Sequence, residues 1–222
     1  MQASAVQQEY LAEAYRLLHY QPFDEPYVTT SALAEQVGVS APAVAAVVER
    51  LKRGGFVEHE PYRGIKLTPK GIHEALMSIR RHRLTEVFLV KVMGFGWHEV
   101  HDEADRIGAA VSDVVAARME HMAGYPRRCP HGEPIPSADG VMPDVVDTPL
   151  AEVLPPAEVT ISRVHTHDAE VLKYLAELGL VPEQAIRLVR RAPFNGPLTL
   201  RIGKQEQVIG SELARVLRVS LT

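Results

Sequence analysis

Four groups of side chains in this sequence have the types and spacing to hold a metal ion. His82 and Glu86 are four residues apart, so on a helix they project from one face about one turn from each other. His101 and Asp105 repeat that spacing. Cys129-Pro130-His131 brings a thiol and an imidazole within three residues, and His165, His167 and Asp168 cluster farther on, where a cation could bridge two domains. Imidazole, carboxylate and thiolate together suit Mn, Fe, Co or Zn. A single His/acid pair reads more readily as a surface ion pair with solvated histidines. Two pairs with the same spacing favour ligands.

A second constellation is suited to reading DNA. A recognition helix must offer side chains to base edges, with cations nearby to fix it to phosphates. Ser40, Pro42, Ala43, Ala45 and Ala46 form the N-terminal face of one expected helix, followed by Arg50, Lys52 and Arg53. Small residues let such a helix sit deep but make few hydrogen bonds. Direct readout is therefore expected through Ser40 and thymine-methyl contacts, supplemented by DNA shape. A wing would carry Tyr62, Arg63 and Lys66, and Arg80, Arg81 and Arg83 offer further phosphate contacts.

These residues need elements to position them. Apolar positions from Glu9 to His19 predict a first helix, and Gln21 to Pro26 a loop. Thr30 or Ser31 can cap a second helix reaching Val37, Gly38 turns the chain, and Ser40 caps a third helix with Pro42 in its first turn. That helix stops at Gly54-Gly55, and alternating runs at 56–60 and 65–68 predict a β-hairpin. Helix, helix, glycine turn, helix, hairpin is the order of a winged helix-turn-helix. A long helix follows from Pro69 toward Val92, then one more from His98 to about Met122 with a core or dimer face. The Pro-, Gly- and Asp-rich stretch 124–156 reads as a linker with one ordered turn at 129–136. Beyond it, strands near 159–164, 185–190, 198–202, 205–209 and 216–221, with a short helix at 168–178, suggest a small SH3-like barrel. The expected fold is mainly α with small β elements. Its domains are a winged helix-turn-helix over 1–72, a helical dimerisation and metal-binding domain over 73–140, a linker over 141–156 and an SH3-like domain over 157–222.

A net charge of −4 over 222 residues argues against a nucleic-acid binder until it is resolved along the chain. Lys and Arg against Asp and Glu number 1 to 5 over residues 1–39, 10 to 5 over 40–91, 4 to 12 over 92–162 and 9 to 6 over 163–222. A basic block followed by an acidic, His-containing block suits contact with phosphates in one part and cations in the next. No uncharged apolar stretch approaches the roughly 20 residues of a membrane span, and Met1 to Tyr10 lacks the features of a signal peptide. With a single cysteine, Cys129, the chain reads as a cytoplasmic, reduced protein that makes no membrane contact.

Five stretches together resemble the diphtheria toxin repressor family of metal-dependent regulators, close to its manganese-responsive members. They are the helix-turn-helix from Ala34-Glu35 to Arg53, Tyr62 to Gly71, Arg81-His82-Arg83-Leu84-Thr85-Glu86, Val100-His101-Asp102-Glu103-Ala104, and Cys129-Pro130-His131-Gly132-Glu133-Pro134-Ile135-Pro136. The resemblance covers nearly the whole chain. It implies a homodimer that binds a palindromic operator of double-stranded DNA when metal-loaded, with a C-terminal SH3-like domain able to lend ligands. His82, Glu86 and His101 match the family's ancillary site. Cys129, His131 and the acid Asp168 match ligands that complete a comparable site in some members. Glu9 and Asp105 match two positions of the primary site, whose expected Glu and His appear here as Gly108 and Ala109.

The expected cofactor is a divalent transition metal. The hard ligands Glu9 and Asp105 favour Mn(II) over Fe(II), Cys129 pulls toward a softer ion, and Zn(II), Co(II) or Cd(II) could substitute. Two other readings stand beside this one. The chain could be a winged-helix regulator uncoupled from metal by Gly108 and Ala109. It could also be a metallohydrolase with an open zinc, although no residue is placed as its general base.

Overall fold

The computed structural model describes residues 3–20 and 26–221; residues 21–25 of the expected first loop lie outside the described residues. The chain divides into two compact units. The first comprises Met1–His82, Asp105–Ala117 and Pro136–Pro143, and the second Arg83–Ala104, Arg118–Ile135 and Asp144–Thr222.

In the first unit, α1 (Ala5–Tyr20) begins four residues before the expected helix. A reciprocal cap explains this: the Ser4 amide donates to the Gln7 side chain at 2.9 Å, and the Gln7 amide donates to the Ser4 hydroxyl at 3.4 Å. The cap of α2 (Thr30–Val37) is Thr29 rather than Thr30 or Ser31, its hydroxyl accepting from the Ala32 amide at 3.1 Å. Gly38 closes that helix at φ +71°, a conformation glycine adopts without steric cost. Ser40 then leads into α3 (Ala41–Arg53) but makes no side-chain capping bond. Val44, Val47, Val48 and Leu51 of α3 are buried with Leu11, Leu33 and Phe56 in one apolar cluster, each large side chain contributing about 1.5–3 kcal/mol. The hairpin pairs β1 (Val57–Glu60) with β2 (Gly64–Leu67), and Val28 bridges to Ile65 on its other side.

The long helix α4 (Pro69–Lys91) runs from the first unit into the second. The expected single helix from His98 to Met122 is instead two helices, α5 (Val100–Gly108) and α6 (Asp113–Met122). The interruption is chemical. Gly108 ends the first helix, and the Ser112 hydroxyl accepts from the Val115 amide at 3.3 Å to start the second.

The second unit contains an antiparallel six-stranded sheet with strand order β3-β8-β4-β5-β6-β7. Its strands are β3 (Thr148–Pro149), β4 (Ala157–Val164), β5 (Ala185–Arg191), β6 (Leu198–Ile202), β7 (Gln205–Ile209) and β8 (Leu217–Leu221). Helices α7 (Ala169–Glu177) and α8 (Ser211–Val216) accompany them. Part of the stretch read as a linker is ordered: β3 pairs with β8, and the 3₁₀ turn that follows buries Leu150 completely. A two-residue strand ending in proline carries almost no alternating pattern, and proline is tolerated at a sheet edge. The β4–β8 register shifts between Ile161 and Arg163, a bulge at Ser162. No single described helix is long and apolar enough to cross a membrane.

Candidate metal centre and DNA-reading face

In the second unit, α4 and the turn at 129–136 bring three buried donors together. The ligand atoms of Glu86, Cys129 and His131 all lie within 4.8 Å of one another. Glu86 is 1% exposed, His131 0% and Cys129 5%, so water cannot easily solvate them. The Nδ1 of His131 lies 3.4 Å from Glu86 Oε1 and 3.9 Å from Cys129 Sγ. The other ring nitrogen, Nε2, lies 2.9 Å from the Trp97 carbonyl oxygen, which can only accept. Nε2 must therefore carry a proton, leaving Nδ1 facing a carboxylate oxygen and a sulfur. In so dry a place, either a second proton or a cation has to stand between acceptors that would otherwise repel one another. The donor set fits a divalent transition metal. Burial foremost, and then the charge of Glu86, hold the Cys129 thiol well above its ordinary pKa, so ligation requires its proton to leave.

Two more histidines adjoin this group. His101 Nδ1 lies 3.5 Å from the same Glu86 oxygen. The exposed ring of His167 stacks on His101 at 3.7 Å and meets His131 edge-on at 5.9 Å. Asp168, one residue on, caps α7: its Oδ1 accepts from the amides of Glu170 at 2.9 Å and Val171 at 3.0 Å.

The turn itself is held against β4. The Val164 amide donates to the His131 carbonyl at 2.8 Å, and the Arg128 guanidinium reaches the Gly132 carbonyl at 2.6 Å. Gly132, at φ +87°, lies so close to β4 that a Cβ there would stand 2.3 Å from the Ser162 carbonyl oxygen. Around the turn runs a buried ionic network that sequence reasoning missed. Glu133 meets Arg83 at 3.3 Å and Arg163 at 3.1 Å, and Asp147 receives Arg163 at 2.8 Å and Arg218 at 2.6 Å. An acid flanked by Gly132 and Pro134 carries no periodic signal, and its partners lie 50 and 30 residues away in the chain.

The remaining expected ligands lie in the first unit. His82, one turn before Glu86 on α4, has its Nδ1 3.0 Å from Asp105 Oδ1. Glu9 has a raised pKa, through burial first and then the charge of Asp105, so the two acids lie near each other. They join no third donor in a comparable close group among the described residues.

The expected DNA face stands on one exposed side of α3. Ser40, Pro42, Ala43, Ala45, Ala46, Arg50 and Lys52 are exposed, opposite the buried valines and Leu51. Arg63 and Lys66 are exposed on the hairpin, with Tyr62 fully exposed at its tip. The Arg63 guanidinium sits 3.9 Å above the Tyr27 ring and near Glu60, contacts that orient it. The three arginines of α4 are not available to phosphates. Arg80 donates to the Pro136 carbonyl, Arg81 to Asp113 and Gln8, and Arg83 to the Pro134 carbonyl, and all three are buried. Helical periodicity marked the basic run but not the internal partners that consume it.

A winged helix with an exposed cationic face, in a chain that also carries a buried carboxylate, imidazole and thiol, defines a DNA-binding regulator with a metal centre. Comparison with known proteins agrees. Residues 2–65 match the iron dependent repressor N-terminal DNA binding domain, 68–137 the iron dependent repressor metal binding and dimerisation domain, and 148–221 the FeoA domain. The diphtheria toxin repressor of Corynebacterium glutamicum is 32% identical over 179 residues, which are 76% of this chain and 78% of that protein. The iron-dependent repressor IdeR of Mycobacterium tuberculosis is 31% identical over 199 residues, 84% of this chain and 86% of that one. A solved manganese-dependent transcriptional repressor in complex with manganese has a TM-score of 0.89 at 34% identity, covering 97% of this chain and 100% of its own. The manganese regulator SloR has a TM-score of 0.78 at 28% identity, with 100% of both chains covered. This chain belongs to the iron-dependent repressor family, the family of the diphtheria toxin repressor.

Proposed function

We propose that this protein is a cytoplasmic transcriptional repressor that binds a palindromic operator as a homodimer when loaded with a divalent transition metal. Mn(II) is favoured over Fe(II), and Zn(II), Co(II) or Cd(II) can substitute. The observation that carries this reading is the convergence of Glu86, Cys129 and His131 in a buried group. Those three residues would hold the ion, with His101 beside Glu86 and His82 one turn earlier on α4 as further donors. His167 lies over His101 and would add a donor from the β4–α7 junction, with Asp168, the cap of α7, the next residue in the chain. Glu9 and Asp105 form the remnant of a second, harder site. The manganese dependence named for one solved neighbour, and the name manganese regulator given to another, support the choice of ion.

A bound cation supplies the positive charge that three mutually repelling donors can share. Glu86 brings a negative charge from α4, Trp97 keeps His131 Nδ1 turned toward it, and Cys129 gives up its proton. Because these donors come from α4 and from the turn, their gathering fixes one element against the other. Order there lowers the cost of a dimer whose recognition helices sit about one DNA turn, roughly 34 Å, apart. Ser40, Pro42, Ala43, Ala45 and Ala46 then face base edges while Arg50, Lys52, Arg63 and Lys66 meet phosphates. The division of labour follows: DNA reading in 1–72, dimerisation and metal binding in 73–140, a linker over 141–156 and a supporting β domain in 157–222. An enzymatic role is disfavoured because it would leave the winged helix and its exposed cationic face unexplained.

The test is a titration of the full chain against a palindromic operator from a metal-uptake promoter, with chelator and then with each ion in turn. Binding that requires metal, and is lost in Glu86→Gln, is the expected result. Equal binding with chelator present overturns the metal dependence and leaves the DNA reading standing.

A further inference from the structure

The metal turn rests on a buried charge cluster that no donor role explains. Glu133 lies two residues after His131, and its side chain is 8% exposed. Its main-chain carbonyl accepts from the Cys129 amide at 2.8 Å and so closes the turn that presents the thiol. Its carboxylate meets two guanidiniums: Arg163 of β4 at 3.3 and 3.1 Å, and Arg83 of α4 at 3.3 Å. Arg83 stands three residues before Glu86 on the same helix and also donates to the Pro134 carbonyl at 2.5 Å. Side-chain exposure is 8% for Arg83 and 5% for Arg163. A buried guanidinium is costly without a carboxylate partner; Glu133 supplies one to both arginines, and Asp147 a second to Arg163.

The charges matter to the neighbouring site. Those of Arg83 and Glu133 are both felt at the Cys129 sulfur. Stripped of Glu133, Arg83 would bring an added positive charge to bear beside a place that must gather a dication, while Arg163 would keep Asp147. With Glu133 present, one carboxylate ties α4, the turn and β4 together and offsets that charge.

We propose that Glu133 is the positioning residue of the metal turn: it clamps Arg83 of α4 and Arg163 of β4 onto the segment that presents Cys129 and His131, and offsets their charge so that a divalent cation is accepted. This rests on the metal reading given above. It makes Glu133 a contributor to metal affinity without being a ligand.

The full chain is titrated with Co(II), whose thiolate charge-transfer band reports the Cys129 bond, and the melting temperature of the metal-free protein is measured in parallel. Glu133→Gln is expected to weaken Co(II) binding by roughly 10- to 100-fold, the usual scale for residues that support a ligand from behind. Asp147→Asn removes a buried carboxylate from the other side of Arg163, and is expected to lower the melting temperature while holding Co(II) affinity within about threefold, well short of that scale. In Glu133→Gln combined with Arg83→Met the charge is balanced again, and a good part of the lost affinity returns. Should the single variant fail to fold, this double variant decides the matter. Glu133→Gln binding Co(II) as the native protein does, Asp147→Asn losing as much affinity as Glu133→Gln, or a double variant that recovers nothing would each overturn the proposal. Failure of the underlying metal reading looks different: Cys129→Ala would then leave the Co(II) affinity of the native chain unchanged.

Discussion

Gly132→Ala isolates the fit between the metal turn and the sheet. At φ +87° any L side chain is strained, by about 1–2 kcal/mol for the conformation alone. The added methyl would also stand 2.3 Å from the Ser162 carbonyl oxygen and 2.7 Å from the Arg163 Cα, and neither is the tip of a flexible side chain. Relief requires the turn and β4 to separate, which weakens the Val164-to-His131 hydrogen bond, worth about 1 kcal/mol, and adds about 1–3 kcal/mol of overpacking. The expected cost is therefore about 3–6 kcal/mol. Gly203 gives the matched control: its φ is +57°, but a Cβ there would meet nothing within 4 Å, so Gly203→Ala should cost only the conformational term, about 1–2 kcal/mol. Urea denaturation of the metal-free variants at one protein concentration gives the comparison, since dimerisation makes apparent stability depend on concentration. Equal destabilisation by the two substitutions would show that the turn does not need its close approach to β4, and the account of how Cys129 and His131 are held would fall with it.

Two further outcomes follow from the same geometry. Arg63→Ala should weaken operator binding across sequences and reduce the salt slope by about one, with Co(II) affinity in the absence of DNA unchanged; a loss of metal affinity in the isolated protein would contradict the separation of roles. Asp147 should make the second unit acid-sensitive. Burial alone would raise its pKa, but hydrogen bonds from Arg163, Ser162 and Arg218 to the charged form outweigh that and hold it below the ordinary carboxylate value. A depressed folded pKa contributes stability that is present above the unfolded value and lost as pH falls through the folded one, so the loss belongs below about pH 4. Melting temperatures measured from pH 7 to pH 3 should fall more steeply for the native chain than for Asp147→Asn, and parallel curves would remove Asp147 from the acid response.

What could be read from the sequence follows the reach of each signal. The winged helix was legible because its cues are local: Gly38 between two helices, Pro42 in a first turn, and alternation on both sides of residues 61–64. β6 and β7 fall at the expected residues because five-residue alternating runs bounded by turns leave little choice. The α5–α6 break was not legible, since apolar spacing continues across Ala109–Ser112 and its cues are as slight as Gly108 and the Ser112 cap. His82/Glu86 and Cys129/His131 stood out by spacing. That Glu86 faces His131 depends on a contact 45 residues apart in the chain, beyond any periodicity. The buried arginines of α4 misled for the same reason, because a charge on a helix looks alike whether it meets water, a phosphate or a carbonyl.

The chemistry of the recognition face bears on why regulation at a distance would suffice. Ala43, Ala45 and Ala46 present methyl groups, and Ser40 adds a hydroxyl, so one α3 docked by this face would discriminate bases weakly. On the proposed reading, affinity for an operator would come chiefly from phosphate contacts by Arg50, Lys52, Arg63 and Lys66, and from two half-sites being engaged together. A protein of that kind is most sensitive to the spacing of its two helices, because a misplaced second half-site forfeits a whole set of contacts that one helix cannot replace. A cation held as proposed, ordering α4 against the 129–136 turn, would therefore have leverage without touching the DNA-facing residues. Linkage makes the effect reciprocal: operator DNA must tighten metal binding by the factor by which metal tightens operator binding.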